Sequence, residues 1–407
     1  DVIVGAPSSQ DDLDEGGRAY VYLGSANGLA DSPAWIAESD QAGARFGWSV
    51  STAGDVNGDG YSDVIVGAPF DYNAQDEGRA YVYLGAASGL ADSPAWVAEI
   101  DQAGACFGFS VGTAGDVNGD GYSDVIVGAE TYSGTYPLSG QAYVYLGSAS
   151  GLASSPAWAV DSDQFVVFFG HAVGTAGDVN GDGYDDVVVG AYGGGYDGSG
   201  QAYVYLGSAT GLATSPAWVA EGDQADALLG WSAGTAGDVN GDGYDDVIVG
   251  APTSGDNLEG RVYVYLGSAT GLAANPAWIV EGNQDWAEFG VSLGTAGDVN
   301  DDGYGDVIVA GYDRDGGWTY ECGRAYVYLG SADGLAWYPS WLSECGRFSG
   351  GFDGSLGTAG DVNGDGYSDV IVGAPGAGTG GRAYVYLGAP YYCAYLPIVT
   401  WQQGSPD

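Results

Sequence analysis

The decapeptide DVNGDGYSDV at residues 55–64 recurs along the chain, and this repetition most constrains what the chain can fold into. Near-copies start at Asp116, Asp178, Asp238, Asp298 and Asp361, so the six copies lie about sixty residues apart. A fixed period of this length indicates units that each pack against their neighbours. We therefore expect one continuous repeat architecture in place of several independent domains.

Each repeat offers four short segments of β-branched or aromatic residues bounded by Gly, Asp, Ser or Pro, which is typical of β-strands. We name them A (FGWSV, 46–50), B (DVIVGA, 63–68), C (AYVYLG, 80–85) and D (AWIAE, 34–38). Segments B and C are apolar on both faces, as expected of strands that are buried on both sides. Four-stranded antiparallel sheets repeated in this way predict an all-β fold, a seven-bladed β-propeller.

The count of segments predicts one irregular blade. Seven B and seven C segments are present but only six A segments, so the first blade is expected to lack its inner strand. Either upstream residues supply that strand or the C-terminal tail fills the gap. The segment YLPIVTW (395–401) can serve as the last D strand, with Trp401 at its end. We expect a single propeller domain over residues 1–401 and a tail at 402–407.

Two further sets of residues recur at fixed repeat positions, and both are expected to be structural. An arginine precedes segment C in most repeats, where we expect a hydrogen bond within the blade. A tryptophan begins segment D, where we expect packing between blades together with the tyrosines of segment C. The tryptophans are Trp35, Trp96, Trp158, Trp218, Trp278 and Trp341, and the arginines are Arg18, Arg79, Arg261, Arg324 and Arg382.

The acidic decapeptide itself has the spacing of a calcium loop. Counted from Asp55, oxygen-bearing side chains fall at positions 1, 3, 5 and 9, a glycine falls at position 6, and Tyr61 at position 7 can offer its backbone carbonyl. The same positions supply ligands at the start of an EF-hand loop, and hard oxygen ligands suit a hard cation. Asp/Asn/Gly turns that bind nothing are the alternative, but six intact copies favour calcium.

We therefore predict six Ca²⁺ sites. Their residues are Asp55, Asn57, Asp59, Tyr61, Asp63, Asp116, Asn118, Asp120, Tyr122, Asp124, Asp178, Asn180, Asp182, Tyr184, Asp186, Asp238, Asn240, Asp242, Tyr244, Asp246, Asp298, Asn300, Asp302, Tyr304, Asp306, Asp361, Asn363, Asp365, Tyr367 and Asp369. In the first repeat only Asp1, at position 9, is present, so a seventh site is incomplete.

The charge of the chain narrows the choice of partners. The formal net charge is −46, with 54 acidic residues against 8 arginines and no lysine. Nucleic acid requires a basic surface, and an anionic membrane surface attracts basic segments, so both are disfavoured. No run of 18 apolar residues is present, so no transmembrane helix is expected. Bound cations would offset part of the self-repulsion of such a chain.

These motifs resemble a known family. Phe46-Gly47, the loop at 55–63 and Gly67-Ala68-Pro69 are similar to the FG-GAP repeat of the integrin alpha-subunit β-propeller, and the resemblance covers residues 1–401. It implies seven blades, calcium in the A–B loops on one rim, an extracellular setting and ligand binding on the opposite rim. The departures are Leu229 in place of Phe, Phe352 before Asp, and GAE, GAY or AGY in place of GAP at 128–130, 190–192 and 310–312.

The loops divide into two classes. A–B and C–D loops, which share one rim (the A–B rim), are nearly constant between repeats, whereas B–C and D–A loops on the other rim (the B–C rim) vary. Variable loops on a rigid scaffold commonly carry binding sites, although unconstrained drift of solvent loops would look the same. The candidate ligand-binding aromatics of the B–C rim are Tyr72, Tyr132, Tyr136, Tyr192, Tyr196, Trp286, Trp318 and Tyr320.

The remaining reactive side chains give little support to catalysis. His171, the only histidine, lies in an A segment and is interpreted as structural. Cys322 and Cys345 bracket segments C and D symmetrically, which predicts a disulfide and an oxidising compartment; Cys106 and Cys393 have no obvious partner.

We expect a calcium-binding extracellular or cell-surface recognition or adhesion module, with a protein or glycan ligand. A self-assembling surface protein is the alternative. A polysaccharide-degrading enzyme is less favoured, because no nucleophile–base constellation is visible.

Overall fold

The computed structural model describes residues 1–8, 16–39, 41–70, 77–195, 197–313, 322–344, 355–375 and 381–390. Within these ranges the chain forms 26 β-strands and no helix, so the all-β prediction is confirmed. It follows that these ranges contain no helix of the length and apolar character needed to span a membrane.

The strands form seven antiparallel sheets in chain order, which are the seven predicted blades. Blades 1 to 4 contain β1 (Val2–Ala6), β2 (Arg18–Tyr22), β3 (Trp35–Glu38); β4 (Ser49–Gly54), β5 (Asp63–Ala68), β6 (Arg79–Tyr83), β7 (Trp96–Glu99); β8 (Phe107–Gly115), β9 (Asp124–Ala129), β10 (Gln141–Tyr145), β11 (Trp158–Asp161); and β12 (Ala172–Gly177), β13 (Asp186–Ala191), β14 (Gln201–Tyr205), β15 (Trp218–Glu221).

Blades 5 to 7 contain β16 (Ser232–Gly237), β17 (Asp246–Ala251), β18 (Arg261–Tyr265), β19 (Trp278–Glu281); β20 (Leu293–Gly297), β21 (Asp306–Asp313), β22 (Cys322–Tyr328), β23 (Trp341–Glu344); and β24 (Leu356–Gly360), β25 (Asp369–Ala374), β26 (Arg382–Tyr386). The first blade has three strands, B to D, as predicted. Blade 7 has three described strands, and the predicted fourth, at 395–401, lies outside the described residues. Whether upstream residues or the tail fill the gap in blade 1 stays open.

Burial explains why each segment takes its place in a blade. The B strand is apolar throughout, and in blades 3, 4 and 5 all six of its residues are buried. The D strand alternates, with its tryptophan buried and the next residue exposed. The A strands of successive blades contact one another, so they line the centre of the ring. Each blade is therefore covered on both faces inside and meets solvent at its outer edge.

In blade 2 the FG pair lies outside the predicted strand, whereas in blade 3 strand β8 begins at the phenylalanine of the pair, Phe107. The predicted A segment began at Phe46, but in blade 2 the strand begins at Ser49 and runs to Gly54. Gly47 takes a φ of 83°, and a Cβ there would approach the carbonyl oxygen of Arg18 to 2.3 Å. This left-handed turn interrupts the extended backbone and requires glycine. Phe46, 1% exposed, is instead inserted into the seam between blades 1 and 2.

Apolar clusters fill the seams between neighbouring blades. In the seam between blades 4 and 5, Val188 and Val204 pack with Val247 and Val249. Such seams form because the two faces of each sheet are apolar, and each face can be buried only by the next blade. The core of the protein is thus divided among the seams.

A tryptophan and a tyrosine pack together across six of the seams, as the sequence predicted. In blade 4 the ring of Trp218 meets Tyr265 of blade 5 edge to face, with 4.6 Å between centroids. The indole Nε1–H of Trp218 also donates to the carbonyl of Ala273 at 3.0 Å. Edge-to-face pairs contribute about 0.5–1.5 kcal/mol beyond area burial. The same ring pair recurs at Trp35–Tyr83, Trp96–Tyr145, Trp158–Tyr205, Trp278–Tyr328 and Trp341–Tyr386.

The ring closes between blade 7 and blade 1. Val2 and Tyr22 of blade 1 share a buried cluster with Val362 and Val385 of blade 7. The carboxylate of Asp1 accepts a hydrogen bond from the backbone N–H of Gly24 at 2.7 Å. The two ends of the described propeller are therefore in direct apolar contact.

The arginines that precede strand C are structural where their side chains are described with a partner. Arg18, Arg79 and Arg261 each donate through Nε to a glutamate on the paired D strand, at 3.0, 2.6 and 3.2 Å. The register places each pair directly opposite, as for Arg79 and Glu99. This confirms the predicted hydrogen bond within the blade for these three repeats.

Candidate functional site

In the acidic loops the side chains at positions 1 and 3 accept hydrogen bonds from N–H groups of their own loop. In the first complete loop Asp55 Oδ1 accepts the N–H of Gly58 at 2.7 Å, and Oδ2 accepts that of Gly60 at 2.8 Å. Asn57 Oδ1 accepts the N–H of Asp59 at 2.9 Å, and Gly60 takes a φ of 88°. Side-chain oxygens at positions 1, 3 and 5 therefore face the interior of a tight turn.

Position 9 lies deeper than the other loop positions. Asp63 is fully buried, and its carboxylate accepts the N–H of Val56 at 2.9 Å and that of Gly85 at 2.7 Å. One carboxylate therefore joins the A–B loop to the start of the C–D loop. The same two bonds recur at Asp124, Asp186, Asp246, Asp306 and Asp369.

The loops concentrate negative charge. Burial raises the pKa of Asp124 to about 7, and repulsion from Asp116 and Asp120 adds to the rise, against the lowering effect of its two backbone N–H donors. The same causes raise the pKa of Asp246 to about 7. At position 1 the reverse holds for Asp361, because the N–H groups of Gly366 and its neighbours lower the pKa of that carboxylate. A cation among these oxygens would relieve the repulsion between the carboxylates.

The loop in blade 6 preserves the geometry despite its sequence change. Asp301 replaces the glycine found at position 4 elsewhere, and it takes the same left-handed conformation, with a φ of 56° against 73° for Gly58. Aspartate tolerates this region better than most residues. Asp298 still accepts the N–H groups of Asp302 and Gly303. All six loops therefore share one backbone turn.

The residues present fit a hard divalent cation by chemistry. Within the described ranges, no cluster of three or more His, Cys, Asp or Glu side chains is ready to hold a metal ion. The loop oxygens are bonded to their own backbone, and Asn57 Nδ2 donates to Asp59 Oδ2 at 3.2 Å. Each carboxylate oxygen has more than one lone pair, so these bonds leave acceptor capacity. The donor set of carboxylate, amide and carbonyl oxygens is the one Ca²⁺ takes.

Adjacent loops are linked to one another around the A–B rim. At three junctions the side chain at position 8 of one loop accepts the N–H at position 1 of the preceding loop. Asp185 Oδ2 accepts from Asp116 at 2.7 Å, and Asp245 Oδ2 accepts from Asp178 at 3.0 Å. Ser123 Oγ accepts from Asp55 at 3.2 Å. These contacts join residues almost seventy positions apart, and sequence spacing within one repeat gave no sign of them.

The B–C rim carries a continuous row of rings, which we call the aromatic arc. Four of these rings lie at or near the start of the A strand in successive blades: Trp48, Phe109, His171 and Trp231. Their ring centroids are 5.5, 5.2 and 4.6 Å apart along the row. The arc consists of Arg45, Trp48, Phe70, Phe109, His171, Tyr192 and Trp231.

His171 has an acidic partner inside the arc. Its Nδ1 lies 2.6 Å from Oε2 of Glu130, and both side chains are about one-tenth exposed. Glu130 and Tyr192 stand where other repeats have the proline of GAP. The departures from the repeat pattern at these two positions thus meet at one place, which agrees with a structural role for the histidine. Sequence analysis noted each departure separately and missed the arc.

The predicted ligand-binding aromatics are dispersed. Tyr192 belongs to the arc, and Tyr132 and Tyr136 share the B–C loop of blade 3, where Tyr136 is 42% exposed. Trp286, in the D–A loop after blade 5, is 45% exposed. The other predicted members, Tyr72, Tyr196, Trp318 and Tyr320, lie outside the described residues.

The cysteine predictions remain untested. Cys322 begins strand β22, and Cys345 lies outside the described residues, as does Cys393, so the disulfide stays a prediction. Cys106 is buried.

Comparisons with known proteins match this architecture. The family model described as FG-GAP repeat matches residues 46–83, 107–145, 169–205, 230–265 and 354–386. Each match begins at or near the FG position and ends in strand C, except that the last begins at residue 354. Each match therefore includes one acidic loop.

Curated relatives are integrin alpha chains. Integrin alpha-V of Gallus gallus is 35% identical over 237 residues, 56% of this chain and 22% of the relative. Integrin alpha-IIb of Mus musculus is 34% identical over 194 residues, which are 46% of this chain and 18% of the relative. Integrin alpha-4 of Xenopus laevis is 32% identical over 196 residues, covering 47% and 18%. The alignments thus span about a fifth of the length of these relatives. Five FG-GAP repeats thus lie within a seven-bladed β-propeller that is similar to integrin alpha subunits.

Proposed function

We propose that this protein is a calcium-binding extracellular or cell-surface recognition propeller, and that it is not an enzyme. Calcium occupies the six A–B loops, and the ligand, a protein or a glycan, binds the B–C rim. Homology to integrin alpha chains supports an adhesion role, since those relatives share the repeat. Association with copies of itself is the alternative.

The observation that carries the calcium proposal is the common geometry of the six loops. In every loop the carboxylate at position 1 accepts the N–H at position 6, for example Asp178 with Gly183 at 2.8 Å and Asp238 with Gly243 at 2.8 Å. This bond fixes the same backbone turn in each loop before a cation arrives. Preorganisation of this kind lowers the cost of binding.

The proposal for the ligand-binding rim rests on exposed aromatic side chains beside variable loops. Trp48 of the aromatic arc is 38% exposed, and Trp286 is 45% exposed. Aromatic side chains supply large contact area at a low cost in conformational entropy, and they dominate many recognition surfaces. The arc continues over four successive blades, so it offers an extended surface.

A glycan array probed with labelled, calcium-loaded protein tests this proposal. We expect binding to a defined sugar, weakened in EGTA and lost in the Tyr192→Ser/Trp286→Ser variant. The matched control is Tyr338→Ser on the A–B rim, which should bind as the wild type does. A blank array would remove the glycan and leave a protein ligand or self-association, which sedimentation at several concentrations separates. Loss of binding in the control alone would place the ligand on the other rim.

A further inference from the structure

The C–D loop of blade 6 departs from its sister loops in a concentrated way. Five other complete C–D loops carry small or polar residues at the two positions before proline: Asp31-Ser32, Asp92-Ser93, Ser154-Ser155, Thr214-Ser215 and Ala274-Asn275. Blade 6 has Trp337-Tyr338 there. Four positions earlier than Trp337 it also has Asp333, where the sister loops have Asn, Ser or Thr. An otherwise uniform rim therefore carries one individual loop.

Both aromatic side chains of this loop face solvent. Trp337 is 63% exposed and Tyr338 is 83% exposed. Leaving large apolar side chains in water forgoes about 1.5–3 kcal/mol for each. Solvent exposure alone is common for single residues, but two adjacent aromatics at one departure from the repeat pattern indicate a contact surface.

The loop backbone beneath the pair is fixed on both sides. The carbonyl of Ala336 accepts the indole N–H of Trp278 at 3.1 Å, and its N–H donates to Leu329 at 2.9 Å. After the pair, the N–H of Ser340 donates to Val327 at 2.8 Å. Sister loops make the same bonds, for example Ala273 with Trp218 and Leu266. The aromatic pair is thus mounted on a rigid turn that does not depend on it.

Two of the substituted residues, Asp333 and Trp337, line one cavity. A cavity of about 200 Å³ lies between the A–B loop of blade 5 and the C–D loop of blade 6, lined by Asn240, Trp278, Asp333, Leu335 and Trp337 among others. Drug-sized ligands occupy about 300–1,000 Å³, so this space suits one small group. Asp333 is exposed, and within the described residues its carboxylate has no hydrogen-bond or ion-pair partner.

We propose that this cavity binds the guanidinium group of an arginine presented by a partner peptide. A planar guanidinium stacks on an aromatic face and pairs with a carboxylate through two N–H groups, and Trp337 and Asp333 supply these two elements. The net charge of −46 makes a cationic partner complementary to the whole molecule. This inference goes beyond the proposed function, because the site lies on the A–B rim and needs no ligand on the B–C rim.

The site is tested by ¹⁹F NMR of protein labelled with 5-fluorotryptophan. The buffer contains millimolar calcium and about 150 mM salt, because salt screens the long-range attraction between the peptide and the acidic protein. The resonance missing from a Trp337→Asp variant identifies Trp337. The probe is the peptide acetyl-Gly-Arg-Gly-amide, and its control replaces arginine with citrulline, which is similar in shape and uncharged. We expect a saturable shift of the Trp337 resonance with the arginine peptide only.

Two variants distinguish binding at this cavity from a general attraction of the cationic peptide to the acidic protein. Asp333→Asn should weaken the arginine peptide at least about threefold, as expected for an exposed cation–carboxylate pair. Trp337→Asp/Tyr338→Ser restores the sequence of blade 1 and makes the protein more acidic, yet it should lower affinity about tenfold by isothermal titration calorimetry, near 1.4 kcal/mol. Thermal melts check that both variants fold.

Three outcomes would overturn the inference. They are no shift of the Trp337 resonance, an equal shift with the citrulline peptide, and binding by the blade-1-like variant as tight as by the wild type. Each of these leaves the calcium loops and the B–C rim untouched, so failure here is distinguishable from failure of the proposed function.

Discussion

The two rims of the propeller are built on opposite plans. On the A–B rim, one acidic turn is repeated six times, and at three junctions neighbouring copies are bonded through a side chain such as that of Asp185 or Ser123. On the B–C rim the loops differ in length and sequence, and contacts such as His171–Glu130 occur once. The comparison teaches that repeated loops can repeat the same links between blades, whereas variable loops allow contacts that are particular to one blade.

Removal of calcium should lower the stability of the protein more than any substitution below, and it should loosen the A–B rim first. With a dissociation constant of about 10⁻⁴–10⁻³ M, each occupied site contributes about 1 kcal/mol at millimolar calcium, and six sites add to several. We expect EGTA to lower the melting temperature by roughly 3–10 °C, because the unfolding entropy of a chain of this length is about 0.9 kcal/mol/K. Hydrogen exchange should accelerate at A–B rim amides such as Gly85 before it does at Gly47 of the other rim. An unchanged melt in EGTA would refute the calcium proposal.

Asp246→Ala should have the next largest effect. The buried carboxylate accepts the N–H groups of Val239 at 3.0 Å and Gly267 at 2.8 Å, and the change leaves both donors unpaired. Each buried unpaired donor costs about 1–3 kcal/mol, so we expect a loss of about 2–5 kcal/mol in urea unfolding. Asp256→Ala, at an exposed position of the following B–C loop, is the control. Equal losses of unfolding free energy in the two variants would mean that the carboxylate at position 9 does not stabilise the A–B and C–D loops.

Trp218→Phe should lower the free energy of unfolding moderately, and by the same amount with or without calcium. The substitution keeps an aromatic ring against Tyr265 but removes the N–H that donates to Ala273 at 3.0 Å. We expect a loss of about 1–2 kcal/mol, measured by urea unfolding. Trp337→Phe, at an exposed position of the rim, should change stability by less than about 0.5 kcal/mol. The reverse order would contradict the seam model.

Arg79→Gln should have the smallest effect. Gln141 occupies the same position in the next blade, and the ion pair of Arg79 with Glu99 is partly exposed, at 28% and 47%. Exposed pairs contribute about 0–1 kcal/mol, so the melting temperature should move by only a few degrees. The reciprocal change Gln141→Arg should be equally mild. A loss above 2 kcal/mol would show that this arginine has a role beyond its blade.

Most of the fold could be predicted because its determinants are local. Strand segments such as DVIVGA, the turn at Asp55–Asp59 and the missing first A segment all lie within a single repeat. The tryptophan positions also followed, since a residue recurring at one place in every repeat must serve a contact that recurs. The start of strand A was misplaced in blade 2, because the left-handed Gly47 separates Phe46 from the strand. In blade 3 the strand does begin at the predicted phenylalanine, Phe107.

The features that escaped prediction lie between repeats. The arc that joins Trp48 to Trp231, and the bond of Asp185 to Asp116, link residues of different blades. Their meeting depends on how blades are rotated around the axis, which the pattern of one repeat does not contain. Trp337-Tyr338 could have been found from sequence, since it breaks a nearly constant loop, but treating the C–D loops as one class concealed it.

The links along the A–B rim are unequal, and this has a mechanical consequence. At the junction of blades 5 and 6, position 8 is Gly305, which retains its backbone bond to Asp238 at 2.8 Å but has no side chain to reach the Asp238 N–H. Under tension applied across the ring, we expect this junction to part earlier than those held by Asp185 or Asp245. Optical-tweezers unfolding of a Gly305→Ser variant, which restores the residue type of blades 3 and 7, should show a higher rupture force. The cavity lined by Trp337 lies at the same junction, so a bound peptide would contact both blades and raise the force needed to separate them.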